Sequence, residues 1–212
     1  AEGKEAWIRL ERDGRIHGRV NPCGAVTSRC THSRPNVAQV PRVGAPWGKE
    51  CRSLFTVPDG YELVGVDMSG LELRCLAHYT HRYDNGLYVE AILNGDIHTT
   101  NQEASGLANR DQAKTFIYAT LYGAGAAKIG SIVGGGAAAG NRLKSQFYSK
   151  MPALKKIQTG IKHRIESHGY LIGIDGRKLR VRSAHSALNT LLQSAGSIAM
   201  KTATCIFHQE LR

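Results

Sequence analysis

Acidic residues are scarce in this chain. Against 28 Lys+Arg stand 17 Asp+Glu, a formal charge of +11 over 212 residues. An excess of this size predicts a polyanionic partner, nucleic acid first and an anionic membrane surface second. Long apolar runs are missing as well. No stretch of 18 apolar residues occurs, which excludes a membrane-spanning helix. The opening AEGKEAWIRLERDG lacks the apolar core of a secretory signal. Cysteines are few and odd in number, five with no Cys-x-x-Cys pair. That excludes a disulfide framework and predicts reduced thiols in a cytoplasmic compartment. No repeat at a fixed period is present. What the chain does have is a globular share of apolar residues, 42%, and length enough to bury a core.

The first sixty residues are rich in Gly, Pro and Arg. Trp7 to Leu10 and Arg15 to Val20 flank Asp13-Gly14 and predict a hairpin. Residues 21 to 52 predict an extended basic segment whose prolines, Pro22, Pro35, Pro41 and Pro46, stop regular helices. Tyr61 to Asp67 predicts a buried strand ending in a carboxylate, and Leu71 to Tyr79 a helix. From Asp84 to His168 the pattern is helical. Leu87–Leu93, Asn109–Tyr122, Ala126–Val133, Ala137–Lys150 and Pro152–Ser167 are the expected helices, with Asn109 as an N-cap and Gly123 just past a helix end. Gly169 to Ser183 returns to strand around an Asp175-Gly176 turn, and a last helix runs from about His185. The order strand, helical insertion, strand, helix predicts an α+β fold: a sheet-bearing platform interrupted by a helical subdomain.

One spacing carries chemistry. Arg110, Lys114, Tyr118 and Tyr122 recur every four residues before Gly123, which puts two cations and then two aromatics along one helix face. Cations suit phosphates and an aromatic face suits a base, so the stripe would hold a nucleoside triphosphate end to end.

The sequence RDQAKTFIYATLYG, Arg110 to Gly123, resembles the nucleotide-binding helix of family A (polymerase I-type) DNA polymerases. VDMSGLELR, Val66 to Arg74, is similar to the palm motif D-x-S-x-x-E-x-R of that family. Ser28-Arg29, Pro35-Asn36 and Gln39-Val40-Pro41 resemble its primer–template segment, and LNTLLQSAG, Leu188 to Gly196, its minor-groove segment. The blocks keep the family's order, and the intervening wording is similar to replicative polymerases of podovirus-type bacteriophages. The resemblance implies a partial palm with a short antiparallel sheet and an inserted helical fingers subdomain. Residues 1–83 would be the N-terminal palm portion, 84–168 the fingers, and 169–212 the returning palm hairpin and helix.

The resemblance also implies DNA-directed DNA polymerisation with Mg²⁺ as cofactor and dNTPs and primer–template DNA as partners, without a membrane, in the cytoplasm of an infected bacterium. Asp67 and the Met68 carbonyl would face the metal, and Asp67 and Lys114 would serve the chemistry. Glu72 would exclude a ribose 2′-OH. His98, Arg110 and Lys114 would hold the triphosphate, Tyr118 would cover the incoming base and sugar, and Tyr122 would stack near the templating base. Arg29, Asn36, Gln39, His185 and Gln193 would contact DNA, Gln193 through minor-groove acceptors common to all base pairs.

The family also uses a second palm aspartate in an H-D-E motif. No such triplet occurs in the 212 residues, so the expectation is a fragment or split subunit that needs a complementary segment. The alternative is a non-catalytic nucleotide- or nucleic-acid-binding module. Three other motifs fail. Gly135 to Gly140 lacks the Lys-Ser/Thr of a phosphate loop, Gly123 to Lys128 lacks the third glycine of a dinucleotide fingerprint, and Cys23, Cys30, His32 and Cys51 have no zinc spacing.

Overall fold

In the computed structural model, residue 3 and residues 6–211 are described, the side chain of His98 excepted. The chain divides into two compact units, Ala1–Ser69 and Gly70–Arg212.

The first unit is held by short elements. One helical turn, α1 (Trp7–Leu10), leads into the hairpin β1 (Glu11–Arg12) and β2 (Arg15–Ile16). Its two-residue turn, Asp13-Gly14, has positive φ at both positions (53° and 73°), as the twist of a tight hairpin requires. A second antiparallel pair joins β3 (Arg19–Asn21) to β4 (Thr31–Ser33). A 3₁₀ turn (Val37–Gln39) and a short helix, α2 (Gly48–Ser53), follow. Trp7 packs edge-on to Phe55, with centroids 5.5 Å apart.

Two expectations need correction here. Trp7 to Leu10 is helical, and the hairpin begins only at Glu11. Tyr61 to Asp67 has no regular structure. Among the described residues no strand pairs with it, and Leu63, Val64 and Val66 stay 75–78% exposed. An apolar run supplies a strand's side chains but not its ladder, and a strand needs a partner for its backbone groups; here the Tyr61 N–H closes a turn onto the Pro58 carbonyl instead, at 3.1 Å.

The second unit is helical: α3 (Leu71–Asp84), α4 (Leu87–Leu93), α5 (Ile97–Ser105), α6 (Arg110–Leu121), α7 (Ala126–Gly130), α8 (Ala137–Lys150), α9 (Pro152–His168) and α10 (Ala187–Glu210). The hairpin β5 (Tyr170–Ile172) and β6 (Lys178–Arg180) lies between the last two, in register Leu171 to Leu179. Arg177, in the hairpin loop, donates to Ser194 Oγ on α10 at 2.8 Å and pairs with Asp175 at 3.1 Å, tying the hairpin to that helix.

The core runs through the inward faces of α3, α6, α8, α9 and α10. Leu76, Phe116, Phe147, Leu154 and Leu192 are wholly enclosed. Phe116 meets Phe147 edge to face at 5.1 Å, a contact worth about 1 kcal/mol beyond the area it buries. At the α7–α8 crossing, a Cβ on Gly140 would strike the Ala126 carbonyl, so only glycine lets these backbones approach. α5 went unread in the sequence. His98-Thr99-Thr100-Asn101 are weak helix formers, and the helix is held by tertiary burial of Asn101, Ala104 and Ser105.

Gly123 ends α6 with φ +75°, and its Cα lies against the His185 carbonyl. Gly123→Ala therefore meets two penalties: about 1–2 kcal/mol for a left-handed non-glycine residue and about 1–3 kcal/mol for the clash. The expected result is a fall in melting temperature of roughly 5–15 °C, measured by calorimetry. A shift under two degrees would show that the 185 loop moves aside without cost.

Candidate nucleotide and primer–template site

Asn109 starts α6 as its sequence suggests. Its side-chain oxygen accepts from the backbone N–H of Asp111 (2.8 Å) and Gln112 (3.2 Å). The cap fixes the helix phase. Ala113, Phe116, Ile117 and Leu121 turn inward, and the adjoining strip of the helix leaves Arg110 and Lys114 exposed, Tyr118 half-buried against the core and Tyr122 47% exposed. The stripe is thus one continuous face, cationic at the N-terminal end and aromatic at the other. The Tyr118 and Tyr122 rings are 6.1 Å apart and tilted by 47°. The positive end of the helix dipole adds to the two cations, so anions are favoured at that end.

Glu72 reaches this face from the first turn of α3. Burial first, then the Glu72 charge, then Tyr122 push the Tyr118 phenol above its ordinary pKa. The hydroxyl therefore stays protonated, a donor and an acceptor, throughout the neutral range. Beneath it Tyr88 donates to Asn101 Oδ1 at 3.2 Å. Burial of Tyr88 also holds its phenol protonated.

Asp96, which the sequence offers only as a spare carboxylate for a metal, and Lys144, which it does not single out, complete the surroundings. Asp96 pairs with Arg110 at 2.8 Å and also accepts from Thr99 Oγ1 at 2.9 Å, at the start of α5. The pair is fourteen positions apart, beyond any local pattern; the one hint was that Asp96 stands in the same Gly95-Asp96-Ile97-His98 string as His98. Lys144 of α8 donates to the Ala124 carbonyl at 2.7 Å, bracing the turn that follows Tyr122, and desolvation lowers its pKa. Its partner is a backbone oxygen, so no sequence signal marked it. The side chain of His98 lies outside the described residues.

Around the other end of α6, the 3₁₀ turn Ala184–Ser186 brings the His185 carbonyl to Gly123 and leaves the His185 side chain exposed. Gln193 is half-buried on α10, one turn before Gly196, where a Cβ would lie 3.1 Å from the Leu71 side chain. That close approach sets the middle of α10 on the start of α3, next to Glu72. In the first unit Arg29 and Gln39 are exposed. Asn36 spends its side-chain oxygen on the Ala38 N–H (3.1 Å), which leaves its NH₂ as the group that can meet a ligand. Asp67 and Met68 lie in the irregular segment, Asp67 exposed. Among the described residues no three His, Cys, Asp or Glu side chains cluster as a metal site, and none of the helices is long and apolar enough to cross a membrane.

Asp96 competes with any phosphate for Arg110. An exposed pair of this kind is worth about 0.5–1 kcal/mol, so Asp96→Asn is expected to tighten dNTP binding about two- to fivefold at low salt, while Arg110→Ala weakens it. Titration with a fluorescent dNTP checks both; weaker binding by Asp96→Asn would show that the carboxylate positions Arg110 rather than competing for it.

The second unit thus joins a helical subdomain that carries a cationic–aromatic stripe to a small antiparallel hairpin. The family model for DNA polymerase family A matches residues 5–212, and the chain belongs to that family. It is 50% identical to the DNA-directed DNA polymerases of Enterobacteria phage T3 and Escherichia phage T7, over 95% of this chain and 32% of each of those. It is 28% identical to the thermostable DNA polymerase I of Thermus aquaticus over 89% of the chain and 23% of that protein. The POL domain of Pol1 from M. smegmatis, solved in complex with DNA primer-template and dNTP, superposes with a TM-score of 0.73 at 21% identity over 90% of this chain and 37% of that one. The fold is therefore that of a polymerase domain. The chain spans about a third of the length of the phage relatives it matches.

Proposed function

We propose that this segment is the fingers and part of the palm of a DNA-directed DNA polymerase, working with a complementary segment that carries the second palm aspartate. The observation that carries the reading is the α6 stripe of Arg110, Lys114, Tyr118 and Tyr122, with the Glu72 carboxylate near enough for its charge to act on Tyr118. On this reading residues 1–83 and 169–212 contribute to the palm and 84–168 are the fingers. The phage relatives support a site of action in the cytoplasm of an infected bacterium.

Each residue then has a task. Arg110 and Lys114, with His98, hold the triphosphate, and Lys114 stabilises the charge that grows on the departing pyrophosphate oxygens. Tyr118 covers the base and sugar. Glu72, beside it, fills the volume a 2′-OH would need. Tyr122 stacks near the templating base. Arg29, Asn36, Gln39, His185 and Gln193 contact the primer–template and hold the primer end in line with the α-phosphate. The Asp67 carboxylate and Met68 carbonyl are hard oxygen donors, the kind that suits Mg²⁺, and their exposure leaves them open to it. Bound there, Mg²⁺ would neutralise phosphate charge and acidify the primer 3′-OH.

DNA binding is the test. Arg29, Arg34, Arg42, Arg52, Arg180 and Arg182 are all exposed outside the fingers. If about five phosphates are neutralised, log K for a primer–template duplex falls with log[salt] at a slope of roughly −4 to −5, whatever the sequence. Anisotropy titrations between low and moderate salt measure it. A flat salt dependence would remove the DNA-binding reading.

A further inference from the structure

The second unit contains a cleft of about 1060 Å³ that shares no residue with the nucleotide stripe. Its rim carries three arginines, Arg74 and Arg82 from α3 and Arg164 from α9, with His78 and His81 of α3 between them. At about 100° per residue, Arg74, His78 and His81 lie roughly 180–240° around α3 from Glu72, and Glu72 itself does not line the cleft. Its floor is aliphatic: Ile92, Ile157, Ile161, Leu171 and Leu191. No acidic residue lines it among the described residues. Acids on the same helices are engaged elsewhere. Asp84 accepts from the Gly86 N–H at 3.0 Å, Glu90 accepts from Asn94 Nδ2 at 2.6 Å, and Glu166 pairs with Lys162 at 3.8 Å.

Two rim arginines are pre-positioned. The Arg82 guanidinium lies 4.6 Å from the Tyr83 ring centroid, and Arg164 lies 5.4 Å from that of Tyr170. A stacked guanidinium keeps its fork of donors available and has less freedom left to lose when it takes a carboxylate. The same stacking argues against single-stranded nucleic acid as the ligand. Lys156 also sits over Tyr83 (6.0 Å) and Lys178 over Tyr170 (4.7 Å). Both rings are thus taken up by cations, and the tyrosine in the lining, Tyr79, is half-buried and meets His78 edge-on at 5.1 Å, which leaves little open aromatic face for bases, whose single strands bind chiefly by stacking. An aliphatic floor instead takes an aliphatic or aromatic side chain of a polypeptide.

We infer that this cleft docks a short segment of a partner protein, one or two bulky apolar residues flanked by Asp or Glu. The apolar side chains fill the floor while the flanking carboxylates meet Arg74, Arg82 and Arg164. The chain's +11 charge draws such a segment in at long range. The size of the cleft, at the upper end of ligand pockets, suits a short linear segment rather than the face of a domain.

Gly160 gives a clean test. It lines the cleft on α9, and a Cβ there meets only the Tyr83 hydroxyl, at 3.9 Å. Gly160→Leu fills the cleft while raising helix propensity. The probe is a labelled synthetic peptide with a central Phe-Leu pair flanked by Asp and Glu on both sides, followed by fluorescence anisotropy on the 212-residue chain. Expected are saturable binding, at least tenfold weakening by Arg82→Glu, and at least fivefold weakening by Gly160→Leu with no loss of thermal stability. A peptide with Gly-Ser in place of Phe-Leu binds at least fivefold more weakly, a lysine-substituted peptide does not bind, and dNTP binding is unchanged in both variants. Equal affinity for the Gly-Ser peptide, or no effect of Gly160→Leu, would show attraction to net charge alone and overturn the proposal. Oligo-dT binding that Gly160→Leu abolishes would reassign the cleft to single-stranded nucleic acid and overturn it equally. Loss of dNTP binding through Arg110→Ala, or its absence, bears on the polymerase reading and leaves this result untouched.

Discussion

Primer extension by the 212-residue chain alone, with dNTPs and Mg²⁺, is expected at background. Asp67 brings one negative charge to a pair of divalent cations whose mutual repulsion, about 4 Å apart, is about 17 kcal/mol at an effective dielectric of about 20. The substrate phosphates offset part of that, and the family's motifs supply a second carboxylate that these residues do not contain. Asp67 also sits in an irregular, exposed segment rather than on a paired strand, so no strand ladder positions its carboxylate, and in-line geometry tolerates little error. Adding a polypeptide that carries the H-D-E hairpin is expected to restore extension. In that assembly Asp67→Ala should remove it again by about a thousandfold or more, equivalent to about 4 kcal/mol of transition-state stabilisation. The measurement is gel-resolved primer extension with and without the complement. Asp67-dependent extension by the chain alone would mean that another carboxylate, such as the exposed Glu210 on α10, acts as the second ligand.

Tyr118→Phe is expected to raise discrimination against dideoxynucleotides by about a hundredfold in an assembled polymerase containing this segment, while deoxynucleotide use changes little. Half-burial, Glu72 and Tyr122 keep the Tyr118 hydroxyl protonated, so it can stand in for a missing sugar 3′-OH and hydrogen-bond to the phosphates. Without it a dideoxynucleotide leaves a polar group unpaired in a partly desolvated site, at about 1–3 kcal/mol. The ratio of kcat/KM for dideoxy- and deoxynucleotides reads the effect directly. Equal ratios in both proteins would mean that the hydroxyl points away from the sugar, and the tilt between the two tyrosine rings would then serve base packing alone.

Where side chains act on their own backbone, the sequence was readable. Asn109 and Gly123 bracketed α6 to within a residue, Leu87–Leu93 and Ala137–Lys150 matched α4 and α8, and Asp175-Gly176 marked the returning hairpin. Where structure depends on a distant partner, reading failed. Tyr61 to Asp67 has the side chains of a strand and no ladder. Trp7 to Leu10 has bulky residues suited to a strand, yet Arg9 N–H bonds to the Ala6 carbonyl at 2.9 Å and closes a helical turn before the hairpin starts. α5 gains its stability from neighbours, not from its own residues. The site divided in the same way. The stripe follows from spacing within one helix, and the family motifs supplied roles for Asp67, Glu72 and Gln193. The bonds of Asp96 to Arg110 and of Lys144 to the Ala124 carbonyl, fourteen and twenty positions apart, emerged only from the fold.

The glycines at which backbones touch carry a consequence for any map of mutational tolerance in this chain. Gly123 abuts the His185 carbonyl and Gly140 the Ala126 carbonyl, so at either position every other residue type, alanine included, forces main chain to shift. A saturation screen would score both as strictly as a residue that touches substrate. Yet Gly140 lies at a helix crossing and has no side chain to offer a nucleotide. Alanine at Lys114 would remove charge and leave the fold in place; alanine at Gly140 would destabilise the fold and lower every activity together. Pairing each activity measurement with the amount of folded protein separates the two kinds of intolerance, which a survival count merges into one.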